Sequence, residues 1–208
     1  MAVMNGAQAL VGTLKANGID TVFGLPGVQL DYIFDALYHE RSSIRVLESR
    51  HEQGAAYMAY GYAESTGKLG TYLVVPGPGL LNTCTALCTI QASNAPVLAL
   101  TGQIPSAYIG RGLGILHEIA SPETTLGGLT KAQLLADHPS RVPHLMNRAI
   151  ETALGGRRGP VLFQVPQDVT IQRGEVQIAA AGREPDPVPD PDLITQAAKL
   201  LGQAKKPL

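Results

Sequence analysis

Short apolar segments alternate with longer helical patterns along the chain, and this alternation is the feature that most constrains its fold. Six apolar segments, rich in β-branched residues, are typical of strands that are covered on both faces. They lie at residues 21–23, 44–47, 71–75, 96–100, 131–135 and 160–165. The pattern predicts an α/β fold of three layers, with a mainly parallel six-stranded sheet and helices on both faces.

Helices are predicted between these strands from capping residues, glycine stops and apolar periodicity. The first begins after Asn5, a good N-cap residue, and ends at Gly18. Residues 104–130 are expected to be irregular, and the remaining helices are predicted at residues 30–37, 51–66, 80–92 and 142–154. Because the helix at 51–66 is rich in Gly and Ala, we expect it to approach a neighbour closely. We also expect self-association through this helix and the helix at 80–92.

The loops that follow the predicted strands are the candidate site, because ligands of parallel α/β sheets bind beyond the carboxyl ends of the strands. Gln103 lies at one such end, where its side chain can face the pocket. The strand ends are residues 24–27, 49–52, 76–79, 101–103 and 166–168.

The charge balance argues against nucleic acid as a partner. Lys and Arg number 16 and Asp and Glu 17, which gives a formal net charge of −1, whereas nucleic-acid-binding domains usually carry a basic patch. Only 16% of the residues are charged, below the usual ~25%. We therefore expect another chain or domain to cover part of the surface.

The two cysteines, Cys84 and Cys88, lie in one predicted helix, and no second Cys or His pair stands at ligand spacing. We interpret them as small buried residues rather than as a disulfide or a metal site, which predicts a reducing, cytoplasmic location. No apolar run approaches the ~20 residues of a membrane span, and no signal-peptide pattern is present. We therefore expect no membrane association.

The composition changes after Val169. Residues 184–192 read Glu-Pro-Asp-Pro-Val-Pro-Asp-Pro-Asp, which is typical of an extended acidic linker. An amphipathic helical pattern follows. The sequence thus predicts a domain at 1–172, a linker at 173–192 and, at 193–208, the first helix of a truncated central domain.

Common nucleotide and zinc-protease motifs are absent: there is no GxxxxGK[ST] loop, no GxGxxG after a strand and no HExxH. Four other segments occur in order: Phe-Gly-Leu-Pro-Gly at 23–27, Arg-His-Glu-Gln-Gly-Ala-Ala at 50–56, Pro-Gly-Pro-Gly-Leu-Leu-Asn at 76–82, and Gly-Pro-Val-Leu to Pro-Gln-Asp-Val at 159–169. Together they resemble the thiamine-diphosphate enzymes of the acetolactate synthase and benzoylformate decarboxylase type. The likeness covers about residues 3–172, the amino-terminal pyrimidine-binding domain of that family.

The resemblance implies a decarboxylase or carboligase (a lyase or transferase) that acts on a 2-oxo acid or aldehyde as a homodimer or tetramer. In this family the cofactor, thiamine diphosphate, lies between subunits, and this domain holds its aminopyrimidine ring. Mg²⁺ and the diphosphate are held by a carboxy-terminal domain that this sequence lacks, so the chain alone is expected to be inactive. FAD binding is left open.

The resemblance also implies roles for individual residues. Glu52 matches the catalytic glutamate, whose hydrogen bond to N1′ of the pyrimidine favours the imino tautomer that deprotonates C2; the plain alternative is a carboxylate suited to a helix's first turn. The cofactor-binding positions are Gly27, Glu52, Pro76, Gly77, Pro78, Gly79 and Asn82.

Three candidate substrate residues are Gln29, Gln103 and His117. Gln29 stands where some carboligases of the family have a histidine that contacts substrate. His117 lies in Leu-His-Glu, which matches Phe-Gln-Glu of acetolactate synthases, and it is either a substrate-side acid/base or a surface histidine.

Two alternatives stay open, a non-catalytic flavodoxin-like or regulatory domain and the small subunit of a two-subunit 2-oxo acid decarboxylase. Glu52 beside an intact Gly-Pro-Gly favours the enzyme over the first, because a degenerate copy has no reason to keep the glutamate. The acidic linker and lone helix at 184–204 count against the second, because a finished small subunit does not need them.

Overall fold

A computed structural model describes residues 1–182 and 188–206 of the chain. It contains a six-stranded sheet and a separate two-stranded sheet. The strands are β1 Ala2–Asn5, β2 Thr21–Gly24, β3 Arg45–Glu48, β4 Gly70–Val74, β5 Val97–Gln103, β6 Ala132–Leu135, β7 Val161–Pro166 and β8 Arg173–Val176. The helices are α1 Gly6–Ala16, α2 Asp31–His39, α3 Glu52–Thr66, α4 Pro78–Asn82, α5 Cys84–Ser93, α6 Pro122–Leu126, α7 Val142–Leu154, α8 Gln167–Ile171 and α9 Pro191–Gln203.

The main sheet has the spatial order β3-β2-β4-β5-β7-β6, and every strand pair in it is parallel. Successive residues of its strands point to opposite faces. Leu73 of β4 packs in the core beneath α1, α2 and α7, whereas Tyr72 and Val74 pack in a second core with α3 and α5. The predicted three-layer α/β fold with helices on both faces is confirmed.

Local capping explains the first helix. The Asn5 side chain accepts a hydrogen bond from the backbone N–H of Gln8 (2.8 Å), and the Gln8 side chain accepts one from the Asn5 N–H (3.0 Å). This reciprocal pair satisfies two N–H groups that the helix itself leaves free. Gly18, just beyond the helix, has a φ of +69°, the left-handed conformation that glycine adopts at low cost. Both predicted ends of α1 are thus confirmed.

The predicted helix at 80–92 is instead two helices, α4 and α5, separated at Thr83. The buried Thr83 hydroxyl lies 2.7 Å from the Leu80 carbonyl oxygen and 3.1 Å from the hydroxyl of Tyr72 in β4. Such side-chain bonds to nearby backbone compete with a continuous helix. The break matters for the site, because it sets the direction of α4 separately from that of α5.

The small residues of α3 face the sheet. Ala55, Ala56, Ala59 and Ala63 are buried, and a Cβ on Gly70 of β4 would overlap the backbone of Ala59. The neighbour that this small face approaches closely is therefore the chain's own sheet, and self-association through α3 stays a prediction for its other face.

The cysteines also differ from their prediction. Both lie in α5, but Cys84 is half-buried and Cys88 is exposed. Residues four apart share a helix face. The face of α5 that carries the two cysteines lies at the edge of the core rather than inside it. Burial raises the pKa of the Cys84 thiol, and the neighbouring Cys88 raises it further.

Residues 173–176, which the sequence placed in a linker, form strand β8 and pair antiparallel with β1, with Ala2 opposite Val176. The chain stays bound to the domain beyond this strand: the Ala181 N–H donates to Asn17 Oδ1 (2.8 Å), and the Gly182 N–H donates to a Glu151 carboxylate oxygen (2.9 Å). Residues 184–187 of the predicted acidic linker lie outside the described residues.

The last helix, α9, begins at Pro191, two residues before its predicted start, and none of its 13 residues is buried. Its N-cap is Asp190, whose side chain accepts a hydrogen bond from the Asp192 N–H. Among the described residues, no helix has the length and apolar character needed to cross a bilayer.

Candidate functional site

The candidate site lies at the carboxyl edge of the main sheet, where the loops after β2, β3 and β4 meet. Glu52 is the first residue of α3, which follows β3 after three residues. The His51 ring caps this helix by accepting the Gln53 N–H (3.2 Å), and the Ser49 hydroxyl donates to the His51 carbonyl (2.8 Å). These bonds fix the first turn of α3 and with it the carboxylate of Glu52.

Asn82 and Gly79, both in α4, define the surroundings of that carboxylate. The Asn82 Nδ2 donates to Glu52 Oε2 (3.0 Å). A Cβ on Gly79 would lie 3.2 Å from Glu52 Oε1, so any larger residue at this position would crowd that oxygen. One carboxylate oxygen is therefore held by an amide, and the other lies beside backbone that carries no side chain.

The loops that contain Gly27 and Gly79 both pack on the side chain of Val75. A Cβ on Gly27, after β2, would lie 2.6 Å from one γ-methyl of Val75, and a Cβ on Gly79 would lie 2.5 Å from the other. Pro76 is buried, whereas Pro78 is exposed and occupies the first turn of α4, where its missing N–H costs no helical hydrogen bond. The glycines here permit close packing of loops that side chains would separate.

Gly77 brings a further loop to the site. Its φ is +61° and its ψ −123°, and a Cβ there would lie 2.5 Å from the carbonyl oxygen and 2.8 Å from the Cα of His117. The backbone of His117 thus packs directly on Gly77. The side chain of Glu118 folds this loop by accepting the N–H groups of Gly112 and Ile115, each at 3.0 Å.

Gln29 and His117, which are 88 residues apart, are hydrogen-bonded to each other: Gln29 Oε1 lies 2.7 Å from His117 Nδ1. Gln29 is only 4% exposed, and its Nε2 donates to the Leu116 carbonyl (3.2 Å). Gly102, at the end of β5, lies under Gln29, since a Cβ there would be 3.0 Å from the Gln29 carbonyl oxygen. Two of the three predicted substrate residues are therefore adjacent.

Gln103, the third, is buried and bonded within the protein. Its Nε2 donates to Gln164 Oε1 (3.0 Å), and its Oε1 accepts the Ile104 N–H (2.8 Å). The structure gives Gln103 a role in joining β5 to β7 rather than the pocket-facing role that the sequence suggested. Its strand-end position alone could not distinguish these roles.

A cavity of about 700 Å³ lies at the opposite edge of the sheet, next to Thr21 and Leu69 at the amino ends of β2 and β4. Its wall includes Asp20, whose pKa is lowered to about 2 by hydrogen bonds from Lys68, Tyr62 and Thr21. Ligands of parallel sheets bind at the carboxyl edge, where Glu52, Gly79 and Asn82 lie. The cavity at the amino edge is therefore not the candidate site.

Three features of the site were missed at the sequence level: the His51 cap, the Asn82–Glu52 bond and the Gln29–His117 pair. The first had no clear signal, since His is not among the residues that are favoured as N-caps. The other two join residues far apart in sequence and carry no local pattern. Within residues 1–182 and 188–206 there is no group of three or more His, Cys, Asp or Glu side chains that could hold a metal ion.

Comparison with known proteins gives a consistent result. Residues 4–124 match the thiamine pyrophosphate enzyme family, in its N-terminal TPP binding domain. The chain is 36% identical over 209 residues to the acetolactate synthase isozyme 2 large subunit of Escherichia coli, with 99% of this chain and 36% of that protein covered.

Two further relatives extend the comparison. The acetolactate synthase large subunit of Corynebacterium glutamicum is 35% identical, with 99% of this chain and 33% of that protein covered. A "Probable 2-ketoarginine decarboxylase" of Pseudomonas aeruginosa is 36% identical, with 99% and 37% covered. The chain thus spans about a third of the length of the curated relatives it matches.

Proposed function

The chain belongs to the thiamine pyrophosphate enzymes, and on that premise we propose that its carboxyl-edge site binds the aminopyrimidine ring of thiamine diphosphate. The observation that carries the proposal is the arrangement of Glu52, with Oε2 held by Asn82 and Oε1 beside the Cα of Gly79. Such a carboxyl group can hydrogen-bond a ring nitrogen, and glycine keeps any side chain of position 79 away from it.

The residues present fit the cofactor. The proposed cofactor cradle is the loop of Gly77 and Gly79, where Cβ atoms would overlap His117, Val75 and Glu52, so only glycine lets this backbone lie so close to Glu52. When bound, thiamine diphosphate supplies a carbanion equivalent at C2 of its thiazolium ring. The part of this chain is to hold a proton between Glu52 and the pyrimidine nitrogen N1′, while Asn82 keeps the carboxyl group in place. Gly27 supports the cradle through Val75.

The proposed reaction is decarboxylation or carboligation of a 2-oxo acid, as a lyase or transferase. Of the three relatives described above, two are named acetolactate synthase large subunits and one a "Probable 2-ketoarginine decarboxylase", and a 2-oxo acid is the chemistry that these names share. Mg²⁺ and the diphosphate belong to another domain in this proposal, and FAD stays open. The two free thiols are in keeping with a cytoplasmic enzyme.

We propose residues 1–182 as the pyrimidine-binding domain, because β8 and the contacts of Ala181 and Gly182 keep that part of the chain on the sheet. Helix α9, which buries none of its residues, is the proposed start of the next domain. In this proposal the boundary lies about ten residues later than the sequence prediction of 172.

A homo-oligomer is proposed through the outer face of α3, α4 and α5, whose exposed residues include Tyr57, Leu81 and Cys88. Exposed apolar side chains grouped on one surface are typical of interfaces. We expect Cys88→Arg to shift the complete protein toward monomer in sedimentation velocity. His144→Arg, on the exposed side of α7, is the matched control and should leave the oligomer intact. An unchanged distribution in both variants would place the interface elsewhere.

The catalytic assignment is tested by Glu52→Gln in the complete enzyme. Gln keeps the size of the side chain but cannot exchange a proton with N1′. A positioned acid–base group contributes roughly 10²–10⁴-fold, so hydrogen–deuterium exchange at C2 of the bound cofactor should slow by about that factor. Glu64→Gln is the matched control, because Glu64 lies in the same helix and is exposed. Equal exchange rates in all three proteins would show that Glu52 is only a first-turn carboxylate.

A further inference from the structure

Gln29 and His117 share an uncommon backbone conformation. Their φ angles are +75° and +70°, a region that residues other than glycine occupy rarely and at an energetic cost. Such residues persist only where their surroundings hold them, and they concentrate at functional sites. Here the surroundings are the Gln29–His117 hydrogen bond itself, the bond from Gln29 to Leu116 and the backbone of Gly77.

The orientation of the Gln29 amide follows from chemistry. The Leu116 carbonyl oxygen can only accept a hydrogen bond, so the amide atom that faces it, at 3.2 Å, is the NH₂ group. The carbonyl oxygen Oε1 therefore faces the His117 ring. Because Gln29 is buried, leaving Oε1 without a donor would carry the penalty of an unpaired polar group.

The amide in turn determines the tautomer of His117. Gln29 Oε1 can only accept, so Nδ1 of His117, 2.7 Å away, must carry a hydrogen. The neutral ring then has its lone pair on Nε2, for which no hydrogen-bond partner occurs among the described residues. His51 and His138 are opposite cases, since their Nδ1 atoms accept the backbone N–H groups of Gln53 and Ser140, which leaves their hydrogen on Nε2.

We propose that Gln29 is a positioning residue that locks His117 in the Nδ1–H tautomer, so that Nε2 is the proton acceptor which this site offers to a substrate hydroxyl. The proposal rests on the function proposed above, because the His117 backbone packs on the Gly77 part of the cofactor cradle. A proton taken from the hydroxyl arrives at Nε2 and gives an imidazolium that still donates from Nδ1 to Gln29. The substrate oxygen keeps the electron pair of the broken O–H bond, and the same proton later returns from Nε2 to a substrate oxygen, so the Gln29 bond is unbroken throughout.

The test is a two-dimensional ¹H–¹⁵N correlation of the histidine rings in the 208-residue chain, recorded at about pH 9, where a histidine of ordinary pKa is neutral. His117 is assigned by its loss in His117→Asn. We expect His117 to show the pattern of the Nδ1–H tautomer, while His51 and His138 in the same spectrum show the Nε2–H pattern. An Nε2–H pattern for His117 overturns the proposal.

Two variants test whether Gln29 is the cause. Gln29→Leu removes the acceptor, and we expect His117 to lose the Nδ1–H pattern. Gln29→Glu keeps an acceptor oxygen, and we expect the pattern to survive. An unchanged tautomer in the Leu variant overturns the role of Gln29. Should the Leu variant fail to fold, the wild-type and Glu spectra still decide, since loss of the Nδ1–H pattern with Glu also contradicts it.

The spectra involve neither Glu52 nor the cofactor, so failure here leaves the proposed function standing. In the complete enzyme we expect Gln29→Leu to lower kcat by roughly 10²-fold, the lower end for a positioned acid–base group, with KM little changed and with C2–H exchange at the wild-type rate. Slowed C2–H exchange in this variant would place the defect at the cofactor and contradict a substrate-side role for His117.

Discussion

The contact between Gly77 and His117 leads to a prediction about stability that the structure allows us to work out. In Gly77→Ala, the new Cβ would stand 2.5 Å from the His117 carbonyl oxygen and 2.8 Å from its Cα. Both of these atoms belong to the backbone, so no side-chain rotation can relieve the overlap. The residue also has a φ of +61° with a ψ of −123°, a combination that strains any residue other than glycine.

The magnitude follows from two opposing effects. A residue held in such a conformation costs about 1–3 kcal/mol, and displacement of the His117 backbone adds to this loss. Alanine also restricts the unfolded chain, which returns about 0.4–1 kcal/mol. We expect a net loss of about 1–3 kcal/mol in the free energy of unfolding. Because 1 kcal/mol shifts Tm by about 2–4 °C in a chain of this size, Tm should fall by about 2–12 °C.

Two glycines of the same domain provide controls for a thermal scan by circular dichroism. Gly67 has a φ of +69° and nothing within 4 Å of a Cβ, so Gly67→Ala reports backbone strain without overlap. Gly61 lies inside α3 with open space around a Cβ, and Gly61→Ala should stabilise the chain by about 0.5–1 kcal/mol. If Gly77→Ala and Gly67→Ala have the same Tm and the His117 ring resonances do not shift, the contact between Gly77 and His117 does not contribute to stability and the reasoning is refuted.

Three further outcomes are expected. The pKa of Asp20 is lowered to about 2 from an ordinary 3.8, first by its hydrogen bond with Lys68, so Asp20 stabilises the fold above about pH 4 and loses this effect as pH falls toward 2. Asp20→Asn should remove this part of the pH dependence of the free energy of unfolding, measured by urea titration. The change should be less than about 1 kcal/mol, because the Asp20–Lys68 pair is half-exposed. Gly70→Ala should cost more stability than Gly77→Ala in the same thermal scan, since its Cβ overlaps the backbone of Ala59 within the core. The exposed Cys88 should react with a thiol reagent faster than Cys84 in the monomer and become protected on assembly, and equal rates in both states would argue against an interface on α5.

The parts of the fold that the sequence predicted are those with a local signal. Strand and helix alternation predicted the parallel sheet, and Asn5 predicted the start of α1, because periodicity and capping act within a few residues. The β1–β8 pair was missed, since two four-residue strands about 170 residues apart carry no pattern that marks them as partners. The surface on which α3 packs was not predicted either, because small residues indicate close approach without indicating the neighbour.

The same distinction separates the parts of the candidate site. Glu52 and Gly79 belong to motifs whose position after a strand can be predicted from the sequence. The structure brings the two residues into contact. The pairing of Gln29 with His117 was not predictable, although both residues were candidates. Each has a positive φ without being glycine, and composition gives no warning of such a conformation. Only the tertiary arrangement shows that one side chain orients the other.

The burial of α3 links the stability of the fold to the geometry of Glu52. The carboxylate stands on the first residue of a helix whose Ala59 lies in contact with Gly70 of β4, and its Asn82 partner stands on α4, which follows the same strand. Both partners are therefore fixed relative to β4, one through close helix–sheet packing and one through a tight turn. A larger residue at position 59 or 70 would lift α3 from the sheet, and the distance between Glu52 and Asn82 would change with it. The small residues of α3 are thus required for core packing and also for the Asn82–Glu52 hydrogen bond that orients the carboxylate. Both depend on the same distance between α3 and the sheet.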